Sequence, residues 1–269
     1  MKPNVEFSII TVTLNAKAEL LTTIKSIQEQ NYQHFIHIIK DGFSNDKTNQ
    51  IDYSKYRNTR FIESKDEGIY NAMNQGFKLS ENEYILFLNA GDIFLSKNSL
   101  RDLAENIKKN PNFSSYSGGT LQVNLKNKKI KRLIGIGILY QKLPFAQLPH
   151  PSFVVKRKIL SKLNNPYDSS LKISGDYKLQ LELRKRQLWK NCYLNQIISI
   201  MPTGGISSLN KRSIIFGYKE TLIFSCRLYN LISIYIILIK LILNLYSRIE
   251  ISKLKTSNID DNLLERFFN

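Results

Sequence analysis

An α/β fold built on a largely parallel sheet is predicted by three features of this 269-residue chain: apolar runs with no polar face, acid-bearing turns where those runs stop, and helical spacing between them. Residues 84–88, Tyr-Ile-Leu-Phe-Leu, are apolar at every position, as in a strand buried on both faces. The run stops at Asn-Ala-Gly-Asp, where Asp92 is the one carboxylate. Ligands of open α/β sheets bind beyond the carboxyl ends of such strands, so Asp92 stands where chemistry is expected. An Asp at that place also caps a following helix, and both readings stay open.

Upstream segments repeat the form. Residues 5–12 read as a strand, and Leu20, Leu21, Ile24 and Ile27 share one face of a helix over Glu19 to Gln30. Residues 35–41 make a second strand ending in Asp41 before the turn-rich Gly-Phe-Ser-Asn-Asp. A short strand near Arg60 to Glu63 leads to Asp66-Glu67-Gly68, and Ile69 to Leu79 has helical spacing. Asp41, Asp66 and Asp92 are thereby predicted at three strand ends. Further on, Ser174-Gly175-Asp176-Tyr177 opens an amphipathic helix over Tyr177 to Arg186 and places Asp176 at its N-terminus, a common capping position.

Charge is unevenly spread. Lys and Arg number 11 against 12 Asp and Glu in residues 1–100, 19 against 5 in 101–200, and 9 against 5 beyond, within a formal total of +17. A basic middle third suits an anionic partner or a solvated face. No stacking-aromatic motif or nucleic-acid module accompanies it, so no nucleic-acid partner is expected. A membrane carrying a diphosphate-linked lipid fits the charge better. Two cysteines, Cys192 and Cys226, are too few for a disulfide framework and lack metal-ligand spacing, and residues 1–14 lack a signal-peptide core. A cytoplasmic protein is expected.

Leu228 to Ser247 is rich in Leu, Ile and Tyr and just long enough to span a bilayer, with Lys240 inside it. As one helix it gathers Asn230, Ser233, Lys240, Asn244 and Ser247 into a stripe roughly 100° wide. A spanning helix would hold Lys240 near mid-membrane at a cost of roughly 2.5 to 3.5 kcal/mol. An in-plane helix would instead turn the stripe to water and set Arg227, Arg248, Lys253 and Lys255 near anionic headgroups. Packing on the chain's own domain, or on a partner in a homodimer, is the third possibility.

Four motifs in order, Ser-Ile-Ile-Thr-Val-Thr-Leu-Asn at 8–15, Lys-Asp-Gly-Phe-Ser-Asn-Asp-Lys-Thr at 40–48, Asp-Glu-Gly-Ile-Tyr-Asn-Ala-Met-Asn-Gln-Gly at 66–76 and Leu-Asn-Ala-Gly-Asp at 88–92, resemble glycosyltransferase family 2. The resemblance is closest to bacterial enzymes building exopolysaccharide, capsule or lipopolysaccharide side chains, of the colanic-acid type. It implies a GT-A fold, a mixed and mostly parallel sheet between helices, over residues 1–210. Residues 1–95 would form the nucleotide-sugar half and 96–210 the acceptor half, with 211–269 a helical, membrane-associating tail.

The resemblance also implies roles. Thr11 and Asn15 would border the base pocket of a nucleotide-sugar donor, with uridine the expected nucleoside. Asp41 would accept a hydrogen bond from the base, and Asp66 would lie nearer the ribose or sugar. Gly68 and the helix start behind it would offer amides to an anion. Asn71 and Asn74 would face either ligand or solvent, and Thr11 could equally be strand packing. Asn89 and Asp92 would line the donor turn, and Ser-Gly-Asp-Tyr matches the motif whose Asp, here Asp176, is the catalytic base. His150 matches a His that either ligates metal or contacts the diphosphate, unless it is only a loop residue held between Pro149 and Pro151. A divalent cation, Mn or Mg, is implied at Asp92, and at His150 if it ligates. Asn89 and Gly91 stand where acids often occur in the family, which puts metal dependence in question.

The expected function is inverting transfer of a sugar from a nucleoside diphosphate to a hydroxyl of a lipid-linked saccharide, on the cytoplasmic face of the inner membrane reached through residues 211–255. The alternatives are a polyprenyl-phosphate glycosyltransferase, which would need no base, and a catalytically silent nucleotide-binding subunit of a polysaccharide assembly complex.

Overall fold

The computed structural model describes residues 4–124, 127, 129–204 and 211–255, the side chains of 211 and 250–255 excepted. The headgroup contacts expected of Lys253 and Lys255, and the 205–210 and 256–269 parts of the two expected domains, lie outside the described residues.

Four strands, β1 (Phe7–Thr13), β2 (Phe35–Asp41), β3 (Thr59–Glu63) and β4 (Tyr84–Phe87), pair in parallel in the order β3-β2-β1-β4. Side chains alternate across a strand, and both faces here are covered. Ile10, Val12, Ile85 and Phe87 enter one apolar cluster, while Phe7, Ile9, Tyr84 and Leu86 enter another on the opposite face. Double burial is why these segments carry no polar alternation. Helix α1 (Lys17–Gln28) follows β1, and α2 (Ile69–Lys78) packs Met73 and Phe77 onto the first cluster.

The second half completes one mixed nine-stranded sheet. After the two-residue β5 (Ile93–Phe94) and α3 (Ser99–Lys109) come β6 (Ser115–Asn124) and β7 (Lys129–Ile134), then α4 (Ile138–Lys142). A short 3-10 turn at His150–Ser152 enters β8 (Phe153–Lys156), followed by the single turn α5 (Arg157–Leu160), α6 (Gly175–Lys185) and β9 (Asn191–Pro202). β8 runs antiparallel between β4 and β6, whereas β6 and β9 are parallel. Parallel order is therefore concentrated in the first half, as the continuous apolar runs there require.

The C-terminal segment is two helices, α7 (Lys211–Tyr229) and α8 (Ile232–Lys255), broken at Asn230, whose φ is 51°. This corrects the single helix over 228–247, and Asn230 leaves the stripe for the turn. The orientation expected for an in-plane helix is also corrected: Ser233 and Ser247 are buried, and Lys240 donates to Thr221 Oγ1 at 2.7 Å. The polar stripe faces the chain's own domain, where Ile239 and Leu243 join the main core. Leu231, Ile234, Leu238, Leu241 and Leu245 point outward instead.

Candidate active site

The switch point of the parallel strands lies between β1 and β4, where the strand order reverses direction. Asn15 follows β1 there with a left-handed φ of 51°, and its Oδ1 accepts from the Asn45 amide at 2.8 Å. Its own amide donates to Ser44 Oγ at 2.8 Å. Ser44 in turn donates its amide at 2.8 Å and its hydroxyl at 2.5 Å to Asp41, which is fully buried at the end of β2. Asn15, Ser44 and Asp41 thus form one linked group across two strand ends.

Asp66 joins the same wall through a residue the sequence did not single out. Lys40 is completely buried and donates to Asp66 Oδ2 at 2.8 Å, to the Ser64 carbonyl at 2.7 Å and to the Asp41 carbonyl at 2.9 Å. Gly68, at φ 116°, precedes α2 and gives its amide to Asp66 Oδ1 at 3.1 Å. That amide is committed inside the turn. Asn71 accepts from Gln75 Nε2 at 2.8 Å. Asn74 fits neither expected role: it is buried, and its side-chain amide bonds both backbone groups of Tyr167, at 2.7 and 2.9 Å. Thr11 is also buried; its hydroxyl donates to the Leu88 carbonyl at 2.7 Å and lies 2.8 Å from His37 Nε2. It is a strand-packing residue.

Beyond β4, Asp92 Oδ2 lies 3.1 Å from His150 Nε2, and Asn89 Nδ2 lies 3.2 Å from the same nitrogen. Burial works against protonation of His150, but the hydrogen bond and charge of Asp92, with a smaller push from Asp176, outweigh it and raise its pKa above the ordinary imidazole value. Among the described residues no three His, Cys, Asp or Glu cluster as a metal site. Asn89 Oδ1, however, is buried with no hydrogen-bond partner beside Asp92 and His150. A carboxylate, an imidazole and an orphaned amide oxygen fit a six-coordinate Mn or Mg that takes its other ligands from water and diphosphate.

Asp176 occupies the first turn of α6, whose N-cap is Ser174, so it is not the cap. Its carboxylate is half-buried and, among the described residues, is hydrogen-bonded by Gln147 Nε2 alone, at 3.5 Å. Gly175 lets Tyr70 close in, since a Cβ there would stand 2.7 Å from the Tyr70 ring. The loop before α6 is held from the tail: Glu220 of α7 accepts the amides of Lys172, Ile173 and Ser174 at 2.7, 3.0 and 2.9 Å. Asp176 and His150 open into a cavity of about 540 Å³ whose other walls come from β7, α7 and α8. Burial draws the Lys240 ammonium down to about 8, against the opposing pull of Asp176 and Glu220.

Sequence patterns singled out Asp41, Asp66, Asp92, His150 and Asp176, and the structure bonds Asp92 to the His150 imidazole and brings Asp176 near enough to act on its charge. They gave no site role to Lys40, Glu220, Tyr70 or Lys240, although Lys40 opens the quoted motif at 40–48. Tyr70 lay within a quoted motif, and Lys240 was visible as a charge inside an apolar run.

A parallel-sheet switch point with acids at the strand ends suits an α/β protein that binds its ligand beyond the carboxyl edge of the sheet. The family model described as Glycosyl transferase family 2 matches residues 8–163, and the chain belongs to that family: it is a glycosyltransferase of the GT-A fold. An uncharacterized glycosyltransferase of Mycobacterium tuberculosis is 25% identical over 223 residues, covering 78% of this chain and 80% of that protein. A PGL/p-HBAD biosynthesis glycosyltransferase of Mycobacterium bovis is 35% identical over 102 residues, 36% of this chain and 40% of that one. Among solved structures, S. aureus TarS superposes with a TM-score of 0.64 at 16% identity, over 87% of this chain and 69% of its own. In complex with UDP-GlcNAc the TM-score is 0.63 at 16% identity, over 82% and 66%. A Pyrobaculum calidifontis mannosyltransferase in complex with GDP-Man and Mn2+ gives 0.62 at 11% identity, over 90% and 74%.

Proposed function

We propose that the protein transfers a sugar, with inversion, from a uridine diphosphate donor to a hydroxyl of a lipid-linked saccharide during cell-surface polysaccharide assembly, at the cytoplasmic face of the membrane. The observation that carries this reading is Asp176, half-buried at the start of α6, with no cation bonded to it and a cavity in front of it. Inversion requires the acceptor oxygen to attack the anomeric carbon opposite the departing diphosphate. Asp176 takes the hydroxyl proton as that bond forms, a contribution of about 10² to 10⁴ in rate. Asn15 is exposed to the crevice for the nucleoside, and the fully buried Asp41, bonded through both oxygens to Ser44, supports that wall from beneath rather than meeting the base directly. Asp92 and His150, with the Asn89 amide oxygen, would hold a divalent cation, whose charge would offset that developing on the leaving diphosphate. The UDP complexes of TarS support the choice of nucleotide, and the Mn2+ complex of the mannosyltransferase supports the cation.

Membrane attachment rests on the inverted helix pair. Ile232–Ile249 is long and apolar enough to cross a membrane, with mean hydropathy 1.7. Its Lys240 and Ser247, however, are bonded to Thr221 and Arg132 of the chain itself, an arrangement suited to lying in the bilayer plane. Between residues 212 and 249 the exposed surface combines Ile, Leu, Phe and Tyr with Arg212, Lys219, Arg227 and Arg248, and the one acid, Glu220, is buried. Basic residues fringing an apolar surface match an anionic leaflet.

The decisive variant is Asp176→Asn. It should lower turnover by at least 10² while UDP, titrated with Mn2+, binds as to the wild type. Near-normal turnover would remove the base and favour a transferase whose acceptor is itself a phosphate.

A further inference from the structure

The cavity in front of Asp176 is also lined by Lys131, Arg132, Lys240 and Arg248. Among the described residues none of these four cations makes an ion pair. Arg132 donates its Nε to Ser247 Oγ at 2.9 Å, and Lys240 has Thr221 Oγ1 and the rings of Tyr177 and Tyr218, at 5.2 and 5.1 Å. All of these partners are neutral. Arg132 feels the charge of Arg248, and Lys240, though drawn more strongly by Asp176 and Glu220, also feels that of Arg132, so the cations repel one another across the cavity. Arg132 and Arg248 thus have no carboxylate partner among the described residues, and guanidinium groups match phosphate oxygens in geometry.

Two anions would be near at hand: the donor's diphosphate and a phosphate borne by the acceptor. Position separates them. Asn15, Asp41, Asp66 and Asp92, the donor wall, do not line this cavity; Asp176 does, and His150, bonded to Asp92, stands where the two spaces meet. The cations come from β7 and α8, and α8 presents its outer face as Ile234, Leu238, Leu241 and Leu245. A phosphate seated on Arg132 and Lys240 therefore lies between the reacting carboxylate and the helix pair that we place on the membrane. That is the order hydroxyl, phosphate, lipid.

We propose that the cavity wall of Arg132, Lys240 and Arg248 binds the phosphate or diphosphate ester that joins the acceptor's sugar to its lipid, so that Asp176 reaches a hydroxyl on a sugar close to that ester. The proposal rests on the glycosyl-transfer reading above and gives its acceptor a chemical class, a short glycosyl lipid phosphate.

The test uses the full-length protein saturated with UDP and Mn2+, titrated calorimetrically with inorganic pyrophosphate and, separately, with farnesyl diphosphate. Both should bind while UDP stays in place. Arg132→Gln should weaken both at least tenfold with UDP affinity unchanged within twofold. Arg248, exposed at the mouth of the cavity, gives a second variant, Arg248→Gln, that leaves packing alone and should weaken both about threefold or more. Displacement of pyrophosphate by UDP, or an equal loss of UDP affinity in the variants, would assign the cations to the donor and overturn the proposal. So would pyrophosphate binding that ignores both substitutions. If neither diphosphate binds but Arg132→Gln reduces attachment to phosphatidylglycerol vesicles, the cations serve phospholipid headgroups and the proposal falls. Failure of the glycosyl-transfer reading gives a separate signal, since UDP would then bind to no form of the protein.

Discussion

At the scale of single residues, the donor wall depends on a cation with no route to water. Lys40 is buried and neutralises Asp66 while its other two protons hold carbonyls at the ends of β2 and β3. Removing one partner of a buried pair leaves a charge uncompensated, typically at about 3–5 kcal/mol. Lys40→Met should therefore lower stability by that amount in urea unfolding; a loss below about 1 kcal/mol would show Asp66 finding water instead. His37 presents the opposite case. It lies within the sheet beside Thr11, with Nδ1 unpartnered, and burial lowers its pKa to about 3. The unfolded chain binds this proton near pH 6.5, so stability falls as pH drops from about 6.5 toward 3, by up to about 1.4 kcal/mol per unit. Unfolding titrations from pH 7 to 5 should show that slope, and His37→Gln should flatten it. Lys40 stands at the head of a quoted motif, but neither its pairing nor that of His37 was legible beforehand. Asp41, Asp92 and Asp176 announce themselves by local turns, whereas Lys40 takes its meaning from Asp66 and His37 from Thr11, each 26 residues away and brought close only by strand pairing.

At the scale of elements, α7 shapes the active site from outside the sheet. Glu220 gathers three consecutive amides ahead of α6, and Ser174 Oγ donates to the Gly217 carbonyl at 2.9 Å. Without that carboxylate the loop would leave three donors unmet, and hydrogen bonds to a charged acceptor contribute about 1.5–3 kcal/mol each at most. Glu220→Ala should cost roughly 2–4 kcal/mol and reduce kcat well beyond any change in UDP affinity, because the loop sets the direction of Asp176. Unchanged kcat at full occupancy would make Glu220 a purely structural anchor. Periodicity revealed the stripe on α8 but not its direction. A helical wheel sorts residues into faces and carries no information about which face meets protein. Here Thr221 on the preceding helix and Arg132 on the distant β7 turn the polar side inward.

For the whole molecule, the consequence of that inversion is a surface with an unusual allocation of apolar area. Leu231, in the turn before α8, is 86% exposed, and Ile234 and Leu245 are 62% and 63% exposed on a helix whose other side completes the core. Soluble proteins seldom display a continuous apolar surface of this kind unless something covers it. A bilayer suits it better than a second copy of the chain, because Arg212, Lys219, Arg227 and Arg248 would repel their own counterparts across a two-fold interface, yet would be drawn to anionic lipid. The double variant Ile234→Glu, Leu245→Glu alters side chains that contribute little to the core, so its melting temperature should stay within a few degrees of the wild type. Its sedimentation with phosphatidylglycerol vesicles should fall at least tenfold, while transfer to a water-soluble acceptor continues. Added salt should weaken wild-type sedimentation only in part, since screening removes the cationic contribution and leaves the apolar one. If light scattering instead shows a wild-type dimer that the double variant dissolves, with vesicle binding absent in both, the helix pair joins two chains, and the acceptor must reach Asp176 from solution rather than along a membrane.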